Sequence, residues 1–322
     1  MTILITGGTG FLGSYFTRYA VNQGENVVLL DRYADRGRIA DVLDRVTVIE
    51  GDVADFDPVA KILADHCVDR IAHFAFILGS PKPGQMLPYV QVQCAGTATV
   101  LEAARLAGVA RVLFASSVAA YGHQTADILT EDLVPNPSDP YGICKAWGEA
   151  MGRHYQAKLG LDFVSLRFGS TYGYGRGRRG SFASGMLDAQ PQVHYMARLD
   201  DAVRGHAIEM PRGDALADWT YAGDAAQAVW LALTKPDIAH SLYNVASERS
   251  PVGDFTRILR DLLPGIDIAE SQTELPNNAH APMSNARLLG DLGFKPAYSL
   301  EDGVRDYIER VRAYDRYQGE HG

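Results

Sequence analysis

The sequence predicts an α/β protein, a doubly wound parallel sheet followed by a smaller C-terminal lobe. Three observations predict it. An apolar run, Ile3-Leu4-Ile5, leads into Thr6-Gly7-Gly8-Thr9-Gly10-Phe11-Leu12-Gly13 and then a helical pattern, so strand, glycine turn and helix are written consecutively. Strand-like and helix-like segments alternate from there to residue 168. Beyond that point the alternation stops, and glycine, arginine, tyrosine and proline crowd in.

In order, the second apolar run is Asn26-Val27-Val28-Leu29-Leu30, closed by Asp31. The third strand covers Arg45–Glu50, a helix runs from about Asp57 to Asp65, and a strand covers Arg70–Ala75. One long helix is predicted over Met86–Ala107, a strand over Arg111–Ala115, and a helix from Pro140 to Leu159. Pro140 suits a first helical residue, with Ser138 or Asp139 before it to cap the free N–H groups. The strand Asp162–Arg167 closes the first half. Helices follow near Gly223–Thr234 and Val252–Leu263, and a last one from Leu300 to about Tyr314. Its mixed charges, among them Arg305, Arg310 and Arg312, read as a solvated face. The implied division is a Rossmann-type dinucleotide-binding domain over 1–168, with contributions from about 217–246, and a mainly substrate-binding lobe over 169–322.

Composition narrows the function. At 322 residues and 47% hydrophobic, the chain can bury one large core and a smaller one. A net charge of −9 argues against a nucleic-acid groove, which needs clustered cations. Cys67, Cys94 and Cys144 are scattered, so neither a disulfide framework nor a metal site is expected. With a strand starting at the second or third residue and no run near the ~20 residues of a membrane span, a cytoplasmic protein is expected.

The glycine turn has the chemistry of a pyrophosphate cradle. Gly7 can take the positive φ of a tight turn, Gly10 lets backbone approach phosphate, and Gly13 lets helix pack on strand. The phosphates would sit on the first-turn N–H groups around Phe11 and Leu12. Asp31 stands where a carboxylate accepts from the adenosine ribose hydroxyls and repels a 2′-phosphate, which favours NAD over NADP. Arg32, Arg36 and Arg38 follow and could hold such a phosphate, though a solvated loop is the expected state of Arg36 and Arg38.

Tyr141-Gly142-Ile143-Cys144-Lys145 sets a phenol and an ammonium on one helix face. An ammonium about 4 Å away at an effective dielectric of ~20 favours phenolate by roughly 4 kcal/mol, which brings a phenol of pKa ~10 near neutrality. Such a phenolate can take the proton of an alcohol as hydride leaves its carbon. Ser116-Ser117 ends a strand of the predicted sheet, where ligands of open α/β sheets bind.

Together these residues resemble the extended short-chain dehydrogenase/reductase family, which holds nucleotide-sugar epimerases, dehydratases and related dehydrogenases. The resemblance rests on Thr6–Gly13, Asp31, Gly51-Asp52-Val53, His73-Phe74-Ala75, Ser116-Ser117 with Tyr121-Gly122, and Tyr141–Lys145. It continues through Leu166-Arg167, Tyr172-Gly173, Asp218–Tyr221 and Leu292–Glu301. It implies that Tyr141 is the acid/base, that Lys145 tunes it and binds the nicotinamide ribose, and that Ser117 meets the substrate oxygen, Ser116 being structural. Asp52, Val53, Phe74 and Ala75 would join the glycine turn, Asp31 and Arg32 around the cofactor. Tyr121 and Tyr172 would pack while lining the site, His73 would satisfy backbone, and Cys144 would be inert. The long helices over Met86–Ala107 and Pro140–Leu159 resemble those that pair subunits, which implies a homodimer.

Departures from the family's pattern bear on substrate. Ala217 stands where an arginine usually binds a diphosphate, Asn277, Asn278 and His280 where a second is common, and Ser170 where an asparagine is usual. Each lost charge-assisted contact forgoes about 1.5–3 kcal/mol. Arg176, Arg178 and Arg179 could replace them or grip a carboxylate, and Gln93 replaces a helix asparagine with either a relay or a packing role. The sequence therefore favours an NAD(P)-dependent oxidoreductase acting on a secondary alcohol or ketone of a small sugar, sugar acid or hydroxy acid. A nucleotide-sugar epimerase or dehydratase with tightly bound NAD is the alternative, and a non-catalytic dinucleotide-binding sensor the second.

Overall fold

The computed structural model describes residues 1–77, 79–176, 199–214, 216–247, 249–270 and 281–321. Seven parallel strands form its central sheet: β1 (Thr2–Thr6), β2 (Asn26–Asp31), β3 (Val46–Glu50), β4 (Arg70–His73), β5 (Arg111–Ser117), β6 (Phe163–Phe168) and β7 (Leu242–Val245). Their order is β7-β6-β5-β4-β1-β2-β3. The chain winds outward in both directions from β1, so the order reverses between β1 and β4, and a crevice opens there at the carboxyl ends of the strands.

Burial on both faces explains the near-continuous apolar runs of the strands. Ile3 and Ile5 point into one core with Phe16, Leu29 and Val229. Leu4, between them, points into the other with Val28, Val59 and Phe114. Helices α1 (Phe11–Asn22) and α6 (Ala222–Thr234) cover the first face. Helices α2 (Phe56–Asp65), α4 (Gly96–Ala107) and α5 (Pro140–Leu159) cover the second.

Two elements differ from the sequence reading. The single helix expected over Met86–Ala107 is α3 (Met86–Val90), a π-helical turn at Gln91–Ala95, and α4. At that turn Gln93, fully buried, accepts from the Ile77 N–H at 3.1 Å and donates to the Ile77 carbonyl at 2.8 Å, so its amide holds the Ile77 backbone. The turn also brings Cys94 within 3.7 Å (Sγ to Sγ) of Cys144, cysteines far apart in sequence. The last helix, which follows α7 (Val252–Leu262), is longer than expected: α8 covers Leu300–His321. Its Arg310 is partly buried rather than fully solvated: the guanidinium lies 4.6 Å above the Tyr15 ring of α1 and binds Asp306 at 2.5 Å.

Candidate active site

The glycine turn folds as its residues demand. Gly7 takes φ +71°, its N–H donates to the Leu30 carbonyl at 2.8 Å, and a Cβ at Gly13 would stand 2.0 Å from the Gly7 carbonyl oxygen. Any side chain there would push α1 off β1. The first turn of α1 therefore opens onto a cavity of about 1280 Å³ that continues past Phe74, Ala75 and Val53 to Ser117 and Tyr141. Pockets for a single drug-sized ligand span roughly 300–1,000 Å³, so this cavity is larger than one such ligand needs.

At the Asp31 end of the cavity, that residue accepts from the Thr9 N–H at 2.9 Å, and burial pushes its carboxyl up to about 7 despite that bond and the nearby Arg38 charge. Arg32 donates to Asp52 at 2.6 Å, so these two expected cofactor contacts hold one another at the rim. Arg36 is exposed, as expected. Arg38 is not: it is 8% exposed and faces the cavity, contrary to the solvated loop read from the sequence.

At the other end α5 and the turn after β5 bring the chemistry together. Asp139 caps α5, its Oδ1 accepting from the Gly142 N–H at 3.0 Å, with Pro140 at the first helical position. A Cβ on Gly142 would lie 2.3 Å from the Ala119 oxygen, so the first turn of α5 rests directly on Val118–Ala120. That contact sets Tyr141 beside Ser117. Ser116, as expected, is structural: it donates to the fully buried Glu149 at 2.5 Å, and Glu149 also takes Arg167 at 2.6 and 2.8 Å.

The electrostatics depart from the spacing argument. The Lys145 Nζ stands 5.5 Å over the Tyr141 ring, but it donates to the Ala115 carbonyl and sits 3.1 Å above the Phe76 ring. Burial pulls its ammonium well below the usual lysine range. Burial likewise raises the Tyr141 phenol, and the groups that pull it back down are the Ser117 hydroxyl and the Arg176 cation, not Lys145. His73, at about 3 through burial and then the Lys145 charge, is neutral. Its ring bonds the side-chain hydroxyls of Thr6 (2.6 Å) and Thr97 (3.1 Å) rather than backbone.

Ser170 and Arg176 border the cavity, whereas Arg178 and Arg179 lie outside the described residues. Tyr121 and Tyr172 pack without lining it: the Tyr121 hydroxyl donates to Asn244 at 2.8 Å, and its ring carries the Arg167 guanidinium at 4.2 Å. Phe76, the platform under Lys145, is a site residue that sequence reasoning missed, since nothing in its neighbours marks it. Among the described residues there is no cluster of three potential metal ligands and no helix long and apolar enough to cross a membrane.

Residues 3–246 match the family model described as the NAD dependent epimerase/dehydratase family. The chain is 28% identical to UDP-glucose 4-epimerase of Azospirillum brasilense, over 99% of this chain and 94% of that protein. It is 25% identical to UDP-glucuronate 4-epimerase 2 of Arabidopsis thaliana, over 99% and 77%. Among solved structures it is similar to the UDP-glucose 4-epimerase of Thermus thermophilus in complex with NAD, with a TM-score of 0.76 and 25% identity over 97% of this chain and 99% of that one.

Proposed function

The chain belongs to the NAD-dependent epimerase/dehydratase family, and from that premise we propose that it interconverts epimers of a nucleoside diphosphate sugar while keeping its NAD bound. The observation that carries this reading is the continuous cavity that joins the glycine turn to Ser117 and Tyr141 and runs on to Ser170 and Arg176. The donor set fits NAD: backbone N–H groups at the start of α1, a carboxyl at Asp31, and apolar walls at Val53 and Phe74. The relatives' nucleotide-sugar substrates support this alternative better than the free sugar acid or hydroxy acid favoured by the sequence. That inference weighed absent arginines one by one, at about 1.5–3 kcal/mol each. Arg176, named there as a possible replacement for the missing arginines, does line the cavity.

Bound NAD supplies a hydride acceptor that can also return the hydride. Tyr141 Oη takes the proton of the sugar hydroxyl, and Ser117 holds the oxygen from which it comes. Arg176 stabilises the phenolate while Tyr141 is deprotonated. The cavity leaves the sugar room to present its other face before Tyr141 gives the proton back. Arg176 also suits an anionic sugar, a uronate, or the diphosphate itself. Water loss would need a second proton carrier. The residues directly after Ser117 are Val118 and Ala119, which carry no proton, Asp139 is occupied in capping α5, and His123, further along the cavity wall, is the side chain whose substitution tests for that role.

In this reading residues 1–168 with the 217–246 stretch hold the cofactor, and 169–322 mainly hold the sugar. Two copies pair through α3 to α5, where Leu87 (79% exposed), Met86 and Ile143 present an apolar surface. The free thiols suit a reducing cytoplasm. The test is to incubate the protein with UDP-glucose, UDP-glucuronic acid and dTDP-glucose, following products by proton NMR and NADH by absorbance. Epimer formation without net NADH is expected, and Tyr141→Phe should lower kcat about 10²- to 10⁴-fold with NAD still bound. Stoichiometric NADH from a free sugar acid, or a dehydrated product, overturns the proposal.

A further inference from the structure

One flank of the adenosine half is closed by residues from opposite ends of the chain. Arg38 lies over the glycine turn: its Nη1 donates to the Thr9 carbonyl at 3.4 Å, and its Nε is 3.1 Å from Asp35 Oδ2. The loop behind it is pinned, since Arg18 of α1 donates to the Arg38 carbonyl and pairs with Asp41 at 2.7 Å. Gly37 is backed by α8, where an added Cβ would meet the Tyr314 ring at 2.9 Å and the Tyr317 ring at 3.0 Å. Tyr314 reaches the cavity itself and stands 5.6 Å from the Tyr174 ring.

The segment that carries Arg176 is tied to the same place. The Tyr174 N–H donates to the Tyr15 hydroxyl at 2.8 Å, and a Cβ on Gly175 would touch Arg38 Nε at 3.4 Å. A buried cation, a helix end and the start of the substrate side therefore meet above the first turn of α1, where the cofactor's phosphates belong.

We propose that Arg38 is a cofactor-binding residue, an anchor for the anionic adenosine half of NAD, and that Tyr314 of α8 positions it as the outer wall of that half. NAD then leaves only when Arg38, Tyr174–Arg176 and the end of α8 separate. The cation comes from a loop that its own sequence marks as solvent-facing; Thr9, Asp35 and Arg18 hold it inward, and α8 backs the loop at Gly37. The proposal rests on NAD as the cofactor and on its retention. It does not depend on which sugar reacts.

The experiment loads wild type and variants with NAD, adds excess ADP-ribose, and follows cofactor release after rapid desalting. Circular dichroism on each variant reports folding. Loss of a charge-assisted contact predicts release about 10- to 100-fold faster in Arg38→Gln, with Arg38→Lys between the two. Tyr314→Ala should speed release several-fold, and Arg36→Gln, an exposed neighbour, should match wild type. Release within twofold of wild type in both Arg38→Gln and Tyr314→Ala overturns the proposal. Should Arg38→Gln fail to fold, Tyr314→Ala decides alone. Product identity in the epimerisation assay is read separately, so a wrong substrate leaves this result standing.

Discussion

The Asp31 carboxyl, at about 7, titrates where most carboxylates are fully ionised. An ionised carboxylate accepts two ribose hydroxyls better than a protonated one, so NAD affinity should rise with pH through neutrality. Between pH 6 and pH 8 the dissociation constant should fall about tenfold in protein stripped of cofactor, and Asp31→Asn should flatten the profile. Calorimetric titration across that range checks it, and a level wild-type profile counts against the assignment. The same shift has a folding counterpart. The folded carboxyl holds its proton above the unfolded pKa, so stability from this group is full below about pH 4 and declines as pH rises toward 7. At this scale the sequence was legible wherever spacing sets placement, as with Ser117, Tyr141 and Lys145, which line one cavity. It was not legible for Arg38 or Phe76, whose surroundings come from distant segments, nor for the charge balance at Tyr141, where burial outweighs a lysine that points to Ala115.

Helix α5 matches its expected bounds because both ends carry local signals: Asp139 with Pro140 at the start, and Gly160 in the left-handed region at the end. Its seat on the sheet depends on glycine. A Cβ at Gly152 would lie 2.0 Å from the Phe163 ring of β6, and one at Gly148 would lie 2.4 Å from Phe114 of β5. Both rings are fixed in the core, so Gly152→Ala should cost about 1–3 kcal/mol and lower the melting temperature by several degrees. Because Tyr141 and Lys145 ride on the same helix, kcat should fall as well. A calorimetric scan that superimposes on wild type would mean α5 can lift without penalty. The π-helical turn at Gln91–Ala95 had no counterpart in the sequence reading, which took Met86–Ala107 as one helix.

Across the whole molecule the sheet order was implicit in the βα alternation, because right-handed crossovers leave few ways to wind it. Assembly is the property to test. The apolar surface on α3 and α5 predicts a solution mass twice that of the chain at micromolar concentration, by light scattering after size exclusion. Leu87→Glu with Ile143→Glu should yield monomers, and a monomeric wild type refutes the pairing. The contact of α8 with Gly37 also orders events during synthesis. Domains form as the chain emerges, N-terminal parts first, and the first βαβ unit can pair its strands early. Its nucleotide pocket, however, stays open to solvent on one side until the residues around Tyr314 leave the ribosome. Nascent chains that have not yet exposed α8 would thus hold the dinucleotide loosely, and firm capture would follow the emergence of that helix.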